Sequence, residues 1–99
     1  MQGSKAVEKL DRLADLIESA YSTPNFRESA FSNRDFLKSR YLYIWIAFNE
    51  INVSRVTIRE TLPCYGYGKT VYQVIRRMYL RRKNKELIYE INQLRKKLN

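Results

Sequence analysis

Apolar side chains recur at three- and four-residue spacing through most of this chain, and that period dictates helices. Residues 4–21 place Ala6, Leu10, Leu13, Ala14, Ile17 and Tyr21 on one side, with Lys9, Arg12, Asp15 and Glu18 between them. Ser4 stands where an N-cap is expected. Thr23-Pro24 ends the pattern, because proline disfavours a helical residue before it. Residues 22–32 are rich in Ser, Thr, Asn and Pro and read as a connection, with Phe26 and Phe31 tucked into the core.

Ser32-Asn33-Arg34-Asp35 has capping-box spacing and predicts a second helix through about Ile51, with Leu37, Tyr41, Ile44, Trp45 and Phe48 as one wide apolar face. The run from Tyr41 to Phe48 is also good strand sequence, and length favours a buried helix with Trp45 in the core. Thr57 can cap a brief helix over residues 58–62. A turn follows, Pro63-Cys64-Tyr65-Gly66-Tyr67-Gly68, whose glycines permit positive φ. Lys69 or Thr70 opens the next helix, with Val71, Val74, Ile75 and Met78 on its buried side. Residues 85–98 put Leu87, Ile88, Ile91, Leu94 and Leu98 on one stripe, and Asn84 reads as a break before it. The expectation is an all-α bundle of about five helices in a single domain, 1–99. Residues 1–33 supply an N-terminal helix and connection, and 34–99 the remaining bundle.

With 99 residues the chain has room for one core. Histidine is absent and Cys64 is the only cysteine, which excludes a disulfide framework, a Cys/His zinc site and His-activated nucleophiles. Cys64 reads as a small packing residue. No apolar h-region follows the N-terminus, and the eight-residue apolar run is far short of the roughly 20 residues that span a bilayer. The expected location is the cytoplasm, with no membrane association.

The net charge of +9 lies wholly in the second half. Residues 1–54 carry seven basic and seven acidic side chains, and residues 55–99 carry twelve and three. Six of the ten positions 76–85 are basic. Solubility needs charge of either sign but not this segregation, so a polyanionic partner is implied.

A short helix, a glycine-containing turn and a second helix carrying base-reading side chains make a helix-turn-helix. Ile58 and Leu62 can brace Val71, Val74 and Ile75. At 100° per residue Lys69, Gln73 and Arg76 point away from that apolar side, flanked by Tyr72 and Arg77. Gln pairs with adenine N6/N7 and Arg with guanine O6/N7, each discriminating by about 1–3 kcal/mol. Arg55, Arg59, Arg81 and Lys83 are expected at phosphates. Leu80 would be wet on an unbroken helix, so the helix bends or ends there, or Leu80 meets a partner chain.

Residues from about Arg40 to Leu98 resemble the C-terminal DNA-binding domain of the bacterial replication initiator DnaA, a Trp-repressor-like helix-turn-helix fold. Thr57-Ile58-Arg59-Glu60 is similar to the family's Ser-Leu-Pro-Glu, Tyr65-Gly66 to its Phe-Gly, and Lys69-Thr70-Val71 to its Thr-Thr-Val. Arg40 stands at about the distance of the arginine that begins the family's upstream helix. The family's Arg-Asp-His before Thr-Thr-Val is missing and the turn is about two residues shorter, so only Thr70 carries over as a base-contacting position. The 56 residues ahead of the motif are too few for an ATPase module. The resemblance therefore implies a stand-alone DNA-binding protein, such as a phage or mobile element encodes.

Other readings are weaker. Tyr65, Tyr67, Tyr72, Tyr79 and Tyr89 lie in the basic half and could stack on unpaired bases, but half-buried packing with a wet hydroxyl is the ordinary role. Tyr65 to Thr70 ends in Gly-Lys-Thr, yet Pro63 occupies the place of the first Walker A glycine. Glu60, Glu86 and Glu90 sit beside Lys or Arg, where ion pairing is expected, so no catalytic residue, enzyme activity, metal, cofactor or small-molecule substrate is expected. The candidate DNA-binding residues are Arg55, Arg59, Lys69, Thr70, Tyr72, Gln73, Arg76, Arg77, Arg81 and Lys83, and the expected partner is double-stranded DNA in transcriptional or replication control. The alternative is an adaptor or inhibitor docking an acidic protein through the basic C-terminal helices. A homodimer through Leu94 and Leu98 is the further option, since the sequence leaves open whether that stripe packs internally.

Overall fold

In the computed structural model, which describes residues 2–29, 33–63 and 69–99, every regular element is an α-helix. The described residues form α1 (Gln2–Tyr21), α2 (Arg34–Asn49), α3 (Arg55–Glu60), α4 (Lys69–Leu80) and α5 (Lys85–Leu98). The all-helical class and the number of helices match the sequence pattern. The apolar run from Tyr41 to Phe48 is helical, as its length required.

The second helix organises the molecule. It packs against each of the other four, while α1 also packs on α5 and α3 on α4. A helix surrounded in this way buries side chains around most of its circumference. Leu42, Tyr43, Ile44, Ile46 and Ala47 are fully buried, whereas Leu37, Tyr41, Trp45 and Phe48 are only half-buried. The expected single face of Leu37, Tyr41, Ile44, Trp45 and Phe48 is thus corrected: only Ile44 of these is fully buried, and Trp45 packs at the edge of the core. From α1 come Leu10, Leu13, Ala14 and Ile17, from α4 Val71, Val74 and Met78, and from α5 Ile91, Leu94 and Leu98. Leu94 and Leu98 therefore pack inside the molecule. Ile88 leaves the α5 stripe and is exposed, since the stripe on the core side runs through Leu87, Ile91, Leu94 and Leu98.

The helix ends differ from the sequence expectation in four places, each for a local reason. Helix α1 starts at Gln2, so Ser4 lies inside its first turn and is not the cap. The cap of α2 is Asn33, whose Oδ1 accepts from the Phe36 N–H at 3.0 Å, one residue beyond the expected Ser32. That helix stops at Asn49 and not Ile51. The N–H groups of Glu50 and Ile51 both turn back to the Ile46 carbonyl, and Asn52 then adopts φ 63°, a left-handed conformation that asparagine tolerates. Ser54 and not Thr57 caps α3: extended at ψ 155°, it accepts from the Thr57 N–H at 3.2 Å, so the helix begins three residues earlier than expected. Asn84 is the break it was expected to be and also caps α5, accepting from the Leu87 N–H at 3.0 Å.

The connection from α1 to α2 is pinned as far as Ser29. Phe26 is fully buried and meets Tyr43 edge-on at 5.6 Å, and Thr23 Oγ1 shares a 2.8 Å hydrogen bond with Ser39 Oγ. Arg40, which the resemblance sets at the start of a helix, lies in the middle of α2. Its Nε donates to the Phe26 carbonyl at 3.0 Å and its Nη2 to that of Ser29 at 2.6 Å. The expectation for Phe31 falls outside the described residues.

Candidate nucleic-acid interface

The third and fourth helices are set against the bundle by an apolar seam and one polar tie. Ile58 and Leu62 are fully buried with Val71, Val74 and Met78, and Ile75 packs at the edge. This is the bracing that the sequence called for. At the end of α3 the Thr61 hydroxyl donates to the Ile58 carbonyl at 2.7 Å, so the Tyr43 hydroxyl at 2.7 Å serves as its donor. Burial pushes the Tyr43 phenol above its usual pKa, which keeps that proton in place. The turn between the helices, with Cys64, Tyr65, Gly66, Tyr67 and Gly68, lies outside the described residues, as do the side chains of Lys69 and Thr70.

The outward side of α4 carries Tyr72, Gln73 and Arg76, all exposed. Arg55 and Arg59 of α3 stand beside Val56, Val71 and Tyr72 around a notch of about 180 Å³ between the two helices. The Arg55 guanidinium lies 5.0 Å over the Tyr72 ring. Three expected site residues thus meet at one notch, Arg55 and Arg59 from α3 and Tyr72 from α4, while Gln73 and Arg76 are exposed on α4. Arg77 is exposed but turns toward α2, its Nη1 donating to the Tyr41 hydroxyl at 3.2 Å. Arg81 lies on the far side as well. It lines a cavity of about 320 Å³ between α2, α4 and α5, with Arg34, Leu37, Tyr41 and Met78 among the walls. Lys83 is exposed in the turn between α4 and α5.

The ion pairs lie away from α3 and α4. Among the described residues, Arg27 pairs with Asp11 at 3.1 Å, Lys38 with Glu90 and Arg95 with Glu50. None of these involves a cation between residues 55 and 83. Glu90 takes the ordinary role expected of it, but Glu60 and Glu86 make no such pair among the described residues.

Tyr72 and Tyr79 are about half-buried, as expected, at 48% and 53% exposure, and Tyr89 is more open at 64%. The last turn of α4 holds a pairing that the sequence reading passed over. The Arg82 guanidinium lies 4.0 Å over the Tyr79 ring, and its Nη1 donates to the Tyr79 carbonyl at 2.9 Å. The i, i+3 spacing of Tyr79 and Arg82 was the available signal. Helix α4 ends at Leu80, which is 74% exposed.

No described helix is long and apolar enough to cross a membrane. Compared with known proteins, the chain has no significant match to a family model, a curated protein or a solved structure.

Proposed function

We propose that this is a double-stranded DNA-binding helix-turn-helix protein of the cytoplasm, acting in transcriptional or replication control, with α4 as its recognition helix. The observation that carries the reading is that Arg55 and Arg59 flank the notch between α3 and α4 while Gln73 and Arg76 are exposed on α4, the three arginines unpaired with any carboxylate among the described residues. Residues 55–99 carry twelve basic side chains against three acidic ones, so this region has charge to offer an external polyanion. Gln73 and Arg76 read base edges in the major groove, while Arg55 and Arg59 hold phosphates. Lys69, Arg77, Arg81 and Lys83 belong to the wider basic field that steers encounter, and Thr70 is the base-contacting position that the resemblance implies. The resemblance to the DnaA DNA-binding domain supports the same assignment of α3 and α4, and a phage or mobile element is the fitting source.

The test replaces both Gln73 and Arg76 by alanine. Both side chains are exposed, so helicity stays intact while duplex affinity, read by fluorescence anisotropy, is expected to fall by at least tenfold. Unchanged affinity would falsify the assignment of α4.

A second reading is favoured by Leu80, whose 74% exposure on the outward side of α4 is poor DNA chemistry and ordinary protein-contact chemistry. On that reading the basic helices dock an acidic protein. Duplex binding that weakens on the order of 10³-fold between 50 and 200 mM salt, as about six phosphate contacts require, supports the first reading. No duplex binding at low salt leaves the second.

A further inference from the structure

We infer that α4 is fastened to the DNA backbone by two arginine-on-tyrosine anchors, Arg55 on Tyr72 and Arg82 on Tyr79, each presenting one guanidinium to one phosphate; this rests on the duplex-DNA reading above. Arg82 and Tyr79 thereby join the site as positioning residues for a contact that charge counting alone assigns to no particular side chain.

The geometry supplies the argument. Tyr72 and Tyr79 are seven residues apart, two turns of helix, so both rings project from the same side of α4. Both are about half exposed, and a guanidinium covers one ring face of each, at 5.0 Å for Arg55 and 4.0 Å for Arg82. Stacking uses the flat face of a guanidinium and leaves its in-plane N–H groups available, the arrangement that suits two oxygens of one phosphate. Arg82 is fixed further by its hydrogen bond to the Tyr79 carbonyl at 2.9 Å. Long arginine side chains ordinarily lose rotamer freedom when they bind, and here that ordering is already made in the free protein. Neither arginine pairs with a carboxylate among the described residues.

Gln73 and Arg76 fall between the two anchors along the helix. Two turns advance about 10.5 Å, comparable with the roughly 12 Å width of the major groove, so the anchors can reach phosphates on its two walls. Because one face of each tyrosine is already covered, the rings are poorer platforms for unpaired bases, which favours duplex over single strands.

The experiment is anisotropy of a labelled 20-base-pair duplex, and of its single strand, across a salt series. Wild type is compared with Arg55→Ala, Arg82→Gln, Tyr79→Leu and Tyr79→Phe. Glutamine at 82 retains a donor for the Tyr79 carbonyl but no charge, so a merely helix-capping Arg82 gives wild-type behaviour. The anchors require Arg55→Ala and Arg82→Gln each to lower the logarithmic salt slope by about one. Tyr79→Leu is expected to keep the slope while weakening affinity about two- to five-fold, and Tyr79→Phe to restore it. Wild-type binding with slope and affinity untouched by Arg82→Gln and Tyr79→Leu overturns the anchors and leaves the duplex reading standing. Greater loss on the single strand than on the duplex in Tyr79→Leu also overturns them. Absence of wild-type duplex binding overturns the duplex reading itself.

Discussion

Arg40 is only 3% exposed, and its guanidinium donates to the carbonyls of Phe26 and Ser29 on the connection between α1 and α2. It also lies 5.9 Å over the Phe36 ring. The charge in this buried place holds the connection onto α2, and its removal leaves buried carbonyls without those donors. Arg40→Met is expected to cost about 2–4 kcal/mol in urea unfolding, and wild-type stability in that variant would refute the role. The sequence marks Arg40 only through the resemblance, as an arginine at the start of a helix; its burial depends on the chain folding back over α2. The tyrosines make a second residue-level case. Burial and the nearby charge of Glu90 raise the Tyr21 phenol to about 12, and burial raises that of Tyr43 as well. Below about pH 10 folded and unfolded chains both hold these protons, so the full stability is present. Above it the unfolded chain ionises first, and stability falls until the folded Tyr21 titrates near pH 12. The thermal midpoint should hold to about pH 9.5 and then decline. Tyr21→Phe should flatten part of that decline, the half-exposed ring keeping the effect modest. An identical alkaline decline in the variant would show that Tyr21 has no part in it.

At the level of the helices, caps decide where each element starts, and three of them here are Asn or Ser side chains accepting from the N–H three residues on. Helix α3 needs its cap most. Six residues are far below the roughly 12–15 that make an isolated helix even marginal, so Ser54 and the buried Ile58 hold it. Ser54→Ala is expected to cost about 1 kcal/mol, with amide exchange accelerating in α3 before any other helix. Uniform acceleration through all helices would mean that α3 is not a separately loosened unit. Helix α5 is matched to its dipole at both ends, with Glu86 in its first turn and Arg95, Lys96 and Lys97 in its last. Helix type and order were readable because periodic apolar spacing runs through every long element. The starts of α2 and α3 were not, because adjacent Ser, Asn and Thr residues compete for the cap, and neighbouring turns choose between them.

Across the whole molecule, charge and packing divide the labour. The principal extents are 34 × 29 × 26 Å, and α1 and α5 lie against α2 on the side where all three ion pairs tie cations to acids. The α3–α4 surface keeps its arginines without such partners. Leu94, 2% exposed, belongs to the internal seam with α1 and α2. Leu94→Ala should therefore lower unfolding free energy by about 2–4 kcal/mol, with a midpoint independent of protein concentration. A midpoint that rises with concentration in the wild type and not in the variant would instead place Leu94 between two chains.

How much was legible follows from the range of the forces involved. Helix content, the one-core size, the break at Asn84 and the concentration of charge after residue 54 were all readable, since each depends on spacing or counts along the chain. The exposure of Tyr72, Gln73 and Arg76 was readable for the same reason: they lie away from an apolar stripe that periodicity makes visible. Arg77 was grouped with them as a flank of that outward face, and Arg81 by charge alone. Their directions were set by Tyr41 and by the cavity between α2, α4 and α5, across long stretches of sequence. The inward packing of Leu94 and the depth of Arg40 are likewise settled by which helices meet. An apolar stripe shows that a face must be covered, and only the folded chain shows what covers it.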